Sequence, residues 1–109
     1  SKRIKDGYRY EQWCKWYLRF HGFHFVKVTP KSRDFGADII CRDWLFRKVV
    51  VQCKRYKNAV GIDAVQQVAA ARSYYRAWYG IVMTNADFTK SARTLAKRCN
   101  VKLYQRKGR

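Results

Sequence analysis

Acid is the scarcest chemistry in this chain. Seven Asp and Glu stand against twenty-five Lys and Arg in 109 residues, and Glu11 is the sole glutamate. Proline occurs once, at Pro30, which excludes a Pro-rich linker. No uncharged apolar run approaches the ~20 residues that a membrane-spanning helix needs. The N-terminus lacks the charged, apolar and small-residue regions of a secretory signal. None of the four cysteines forms a C-x-x-C pair or stands near a histidine at zinc-ligand spacing, so a zinc site is not indicated. There is no internal repeat and no low-complexity stretch.

What is present points to a packed, basic body. Hydrophobic residues make up 48% of the chain and aromatics 17%, too many for charge-driven disorder. The length fits a single domain over residues 1–109, with 1–5 fraying, and a domain of this size buries roughly two-thirds of its unfolded surface. The first residue is Ser1 rather than Met, and a longer parent protein is the expectation. The formal charge of +18 runs from Lys2 to Arg109 rather than sitting on one arm. Such an excess implies a polyanionic partner: nucleic acid first, ahead of a membrane surface or another acidic partner. Cys14, Cys41, Cys53 and Cys99 lie among apolar neighbours. They read as small buried hydrophobes in a reducing, cytoplasmic compartment.

Periodicity supplies the elements. Tyr10, Trp13, Tyr17 and Phe20 recur at helical steps over residues 6–21, with Cys14 and Leu18 widening the face and Gly22 as the stop. Strands follow at 23–28, 37–42 and 47–54, separated by a loop at 29–36 and a turn at 43–46. A helix is predicted over 62–78, an apolar strand over 79–84, a helix over 88–99 capped by Asn85 or Asp87, and a last strand over 101–104. The order is αβββαβαβ. Three consecutive strands suggest an antiparallel meander and the later strand-helix-strand a parallel crossover. The expected fold is therefore α/β, a mixed central sheet with helices on both faces.

Where acids are few, their positions carry information. Asp34 and Asp38 bracket Phe35-Gly36-Ala37, just where the loop meets the second strand, and the third strand ends in Gln52-Cys53-Lys54. Side chains alternate along a strand, so Val50, Gln52 and Lys54 share one face, and a hairpin would bring Asp38 beside Gln52 and Lys54. Taken singly, Asp38 could be a turn acid, Lys54 a surface lysine, and Glu11 a helix partner of Lys15.

Taken together, these residues resemble the PD-(D/E)xK nuclease superfamily, and within it the catalytic domain of Mrr-type restriction endonucleases. The resemblance runs from about Asp6 to Tyr104. Glu11 matches the first-helix glutamate, Gly36-Ala37-Asp38 the Gly-x-Asp motif, and Gln52-Cys53-Lys54 the Gln-x-Lys variant of the third strand. Gln66 is the better match to the glutamine of the following helix, with Gln67 the other candidate. Gly80-Ile81-Val82-Met83-Thr84 and Phe88-Thr89-Lys90-Ser91-Ala92 match the strand and helix that follow.

The resemblance implies a metal-dependent DNA endonuclease with the restriction-endonuclease-like core. Asp38, Gln52, the Cys53 backbone carbonyl and Glu11, the last through water, would hold Mg²⁺, with Mn²⁺ as a substitute. Lys54 would hold the attacking water and offset phosphate charge. Gln66, Asp34, Arg55 and Lys57 are candidate contacts to DNA or to the site, Asp34 chiefly ordering its loop. Tyr8, Tyr10 and Tyr56, set among basic residues, are candidates for stacking on unpaired bases. His21 and His24 lack ligand spacing and read as core or surface. Trp13, Trp16, Tyr17, Tyr74, Tyr75, Trp78 and Tyr79 read mostly as core or near-core. DNA is the expected partner, held through its phosphate backbone, with no membrane association. A homodimer and a recognition domain in a longer parent are further expectations. The alternatives are a Holliday-junction resolvase-like nuclease, which normally carries an acid where this chain has Gln52, or a catalytically silent nucleic-acid-binding module.

Overall fold

Val49, Val50 and Val51 are fully buried, and the molecule is built around the strand that carries them. The computed structural model describes residues 2–30 and 35–106, with side chains of the first helix described from Gly7 onward. The elements are α1 (Lys2–Phe20), β1 (His24–Val28), β2 (Ile39–Arg42), β3 (Lys48–Lys54), α2 (Ile62–Tyr74), β4 (Tyr79–Thr84), α3 (Lys90–Arg98) and β5 (Val101–Gln105). They form one sheet in the order β1-β2-β3-β4-β5. The first three strands are antiparallel neighbours. β3, β4 and β5 run parallel, joined by helices because a parallel pair cannot be closed by a short turn. The mixed sheet expected from the sequence is therefore present.

Alternation along β3 feeds two cores. Val50, with Val82 of β4, packs beneath α2 and α3 against Val65, Val68, Ala92 and Ala96. Val49 and Val51, with Ile81 and Met83, face α1 through Tyr10, Cys14 and Leu18. A strand covered on both faces reads as a continuous apolar run, which is why β3 and β4 are so rich in Val and Ile. The buried stripe of α1 is centred on Cys14. Phe20 lies about 120° round the helix from Cys14 and Trp16 about 160°. Both are exposed, as are Tyr74 and Trp78, contrary to the core placement that their aromatic character suggested. All four cysteines are free thiols, and burial, with the Asp43 charge, pushes the Cys41 thiol up to about 12.

Helix ends differ instructively from expectation. α1 stops at Gly22, whose φ is +87°, with Phe23 N–H donating to the Leu18 carbonyl at 3.0 Å. α2 stops at Tyr74, four residues earlier than predicted. Arg76 takes the left-handed conformation (φ +56°), and the Ala77 and Arg76 amides close onto the Arg72 and Ser73 carbonyls. This is the capping geometry that glycine ordinarily supplies, so no residue-type signal announced it. α3 is capped by Thr89, whose hydroxyl accepts from Ala92 N at 3.0 Å, rather than by Asn85 or Asp87.

Asp43 organises the β2–β3 turn. The residue is 2% exposed. Its carboxylate accepts from Leu45 N, Arg47 N, Arg47 Nε and the Tyr79 hydroxyl at 2.8–3.0 Å. Burial alone would raise its pKa, but these donors outweigh it and hold the carboxyl below the ordinary value. A depressed carboxylate stabilises the fold above its unfolded pKa near 3.9 and loses that contribution as pH falls through the folded value. Asp43→Asn should therefore be less stable than the parent at neutral pH, by about 1–3 kcal/mol. The gap should narrow below about pH 4, as read by urea melts across pH. A gap independent of pH would refute the charge assignment.

Candidate active site

The carboxyl ends of the parallel strands β3 and β4 open into a cleft, the position where α/β sheets bind ligands. The cleft has a volume of about 1660 Å³ and is lined by Glu11, Asp38, Gln52, Cys53, Lys54, Arg55, Tyr56, Lys57, Gln67, Asn85 and Asp87, among others. Because β2 is antiparallel to β3, the residue before β2 falls beside the end of β3. Asp38 occupies that place. Its amide donates to the Val51 carbonyl at 2.8 Å, and its own carbonyl accepts from Thr29 N at 2.8 Å. The Thr29 hydroxyl adds a 2.7 Å bond to the Ala37 carbonyl. With its backbone so held, the Asp38 carboxylate accepts from Cys53 N at 2.8 Å.

Gly36 brings this segment against α2. Its φ is +87°, and a Cβ there would lie 2.5 Å from the Gln67 carbonyl oxygen, so only glycine fits. Gln67 is the α2 glutamine that lines the cleft. Gln66, preferred in the sequence reading, does not line it, because one residue along a helix is a 100° turn. Gln52 is 6% exposed, and its Nε2 donates to Gln67 Oε1 at 2.7 Å. Among the described residues, that leaves Gln52 Oε1 buried with no hydrogen-bond partner. An orphaned amide oxygen at this depth is costly unless something binds it.

Glu11 reaches the cleft from α1 and is 6% exposed. Lys54 ends β3 half-buried, its ammonium 5.7 Å from the Tyr56 ring centre. Tyr56, which sits in the loop after β3, is held by Asn85. The Tyr56 amide and carbonyl bond to the two ends of the Asn85 side chain at 2.9 Å each. Arg55 and Lys57 are exposed on the cleft rim. Asp34 lies outside the described residues. Tyr10, a candidate for base stacking, is 5% exposed, and burial keeps its hydroxyl protonated. The Cys53 thiol points to the α1 side. Its hydrogen bond with Cys14, together with burial and the nearby Asp38 and Glu11 charges, holds it protonated, so it offers neither a nucleophile nor a thiolate ligand.

Asn85 and Asp87 were missed as lining residues because both occur where helix caps occur. The usable signal was their place just past a parallel strand. Among the described residues no group of three or more His, Cys, Asp or Glu is set to hold a metal. What the cleft offers instead is a carboxylate, an amide oxygen and backbone, with Glu11 also in its lining. All of these are hard oxygen donors that suit a divalent cation such as Mg²⁺, and the orphaned Gln52 oxygen fits one.

Comparison with known proteins decides the family. The profile of the Mrr-type restriction endonuclease catalytic domain matches residues 3–108. The chain belongs to the restriction endonuclease family. Among restriction endonucleases of known structure, the DNA modification-dependent enzyme AspBHI superposes with a TM-score of 0.74 at 19% identity, over 94% of this chain and 30% of that one. A repair endonuclease from Pyrococcus abyssi superposes with a TM-score of 0.62 at 18% identity, over 84% of this chain and 41% of that one. A curated relative, UPF0102 protein BH12350 of Bartonella henselae, is 31% identical over 66% of this chain, which spans 57% of its length. Among the described residues no helix is long and apolar enough to cross a membrane.

The two glutamines of α2 separate cleanly by mutation. Gln67→Ala leaves the Gln52 amide without its acceptor and should cost about 1 kcal/mol. Gln66→Ala should stay within about 0.5 kcal/mol of the parent. Chemical denaturation of both variants reads the difference, and equal values would contradict the Gln52–Gln67 bond.

Proposed function

We propose that this domain is a metal-dependent DNA endonuclease that hydrolyses phosphodiester bonds with little sequence preference of its own. One observation carries the reading. A carboxylate pinned by a strand amide, a buried amide oxygen with no hydrogen-bond partner among the described residues, and a lysine stand together at the carboxyl end of β3 in one cleft. Membership of the restriction endonuclease family supports the reaction class.

Asp38, the Gln52 amide oxygen and the Cys53 carbonyl would hold Mg²⁺ or Mn²⁺, with Glu11 acting through a bound water. The cation supplies charge for the phosphate oxygens and acidifies water. Lys54 orients the attacking water and offsets charge building on the phosphate. Arg55 and Lys57 draw in the flanking phosphates, which is electrostatic and sequence-independent work. Sequence selectivity would then belong to a further recognition domain in a longer parent.

Asparagine at position 38 can still accept from Cys53 N, so Asp38→Asn should fold. It should cut at least roughly 100-fold more slowly while its DNA affinity stays within about threefold, since only the anionic ligand is lost. Plasmid nicking with Mg²⁺ or Mn²⁺ against EDTA, paired with anisotropy, tests this. Cutting at the parental rate would move the metal site elsewhere.

Gln52→Glu should tighten Mg²⁺ or Mn²⁺ binding in the absence of DNA, because a carboxylate replaces a neutral donor while Gln67 can turn its amide to donate. Calorimetric titration of both proteins reads this, and equal affinities would detach Gln52 from the cation.

A further inference from the structure

A second groove lies between α1 and the edge strand β1, with a volume of about 680 Å³. One wall is the helix stripe Tyr8, Gln12, Lys15 and Arg19, and the other is β1 with Phe25 and Lys27. Three cations line it and, among the described residues, no acid does. Tyr8 is 58% exposed and Phe25 72%. Phe25 is also held at φ +53°, a conformation that a Phe adopts only at a cost. That cost is not repaid by burial, since the ring stays largely in solvent and meets Phe46 only at 6.3 Å and tilted.

We propose that this groove is a second nucleic-acid site that holds an unpaired DNA strand, so that the cleft's substrates are duplexes carrying a single-stranded tail or branch. The proposal rests on the reading of the cleft as a DNA-cutting site and names its substrate class. Cations alone would welcome any phosphate backbone. Aromatic faces select unpaired strands, because only there are base faces open to stacking. The two sites are also continuous. Gly7 and Glu11 line the cleft and Tyr8 and Gln12 line the groove, so the faces are one 100° step apart on the same helix. From Tyr8 to Arg19 the stripe runs about 16 Å along the axis, a track leading away from Asp38.

The test measures binding in EDTA by fluorescence anisotropy, using a blunt duplex and the same duplex with an oligo-thymidine tail. The parent should bind the tailed probe about tenfold more tightly, the scale of one stacked base. Tyr8→Ala combined with Phe25→Gly should erase that preference while leaving affinity for the blunt duplex within about twofold. Phe25→Gly also relieves the left-handed strain, so an unchanged or raised melting temperature removes unfolding as the cause. Replacing Lys15, Arg19 and Lys27 by Ser should lower the salt slope for the tailed probe by about 2, at ~0.7 per phosphate on a single strand. Equal parental affinity for both probes, or variants that weaken both equally, would overturn the groove and return Lys27 to guarding a sheet edge. Cleavage of the tailed duplex with Mg²⁺ is scored separately. Its absence overturns the nuclease reading without touching the tail preference, which is read without metal.

Discussion

The hydrogen bond from the Cys53 amide to the Asp38 carboxylate, 2.8 Å long, is the contact around which the cleft is arranged. It ties the segment that precedes β2 to the last turn of pleat in β3. Its formation depends on both backbones being already in register, since Asp38 N donates to the Val51 carbonyl one step away. A carboxylate on a free loop would wander by ångströms. Here it hangs from a sheet whose central valines are fully buried on both faces. The precision of the site is inherited from the packing of the core.

The same strand divides labour between its faces. Residues facing α1 close a core, and the Cys53 thiol belongs to it. Residues facing α2 begin as core at Val50 and turn polar at Gln52. Substituting an amide for an acid there changes the electrostatics more than the shape. It spares the site a third negative charge beside Asp38 and Glu11, in a protein whose net charge is strongly positive. On the proposed reading, the substrate phosphate would contribute to cation binding, since the protein alone offers few anionic ligands.

A high positive charge on a small body repels itself, and the fold manages it by placement. Few acids are available, and one of them, Asp43, is buried in a structural turn rather than placed on the surface. Several cations lie over aromatic rings instead: Arg47 over Trp78 and Tyr79, Lys102 over Tyr79, Lys54 over Tyr56. Aromatic faces thus do part of the work that carboxylates do elsewhere. This also accounts for Trp78, an exposed ring that its aromatic character assigned to the core.

The sequence by itself determined the order of elements, the apolar stripes of α1 and α3, the two-faced strands β3 and β4, and the three motif segments holding Glu11, Asp38 and Gln52 to Lys54. Each of these is a local pattern, because alternation and helical period are written into consecutive side chains. Tertiary structure alone decided which α2 glutamine meets Gln52, since a one-residue choice turns on how the helix is rotated against Gly36. It decided that α2 ends at Tyr74, with the left-handed Arg76 beyond it imposed by the chain's return to β4 rather than by a glycine. It placed Asn85 on the Tyr56 backbone twenty-nine positions away and set the α1 stripe opposite Phe25 across the sheet edge. These contacts join residues distant in the chain, and their geometry exists only once the sheet has assembled.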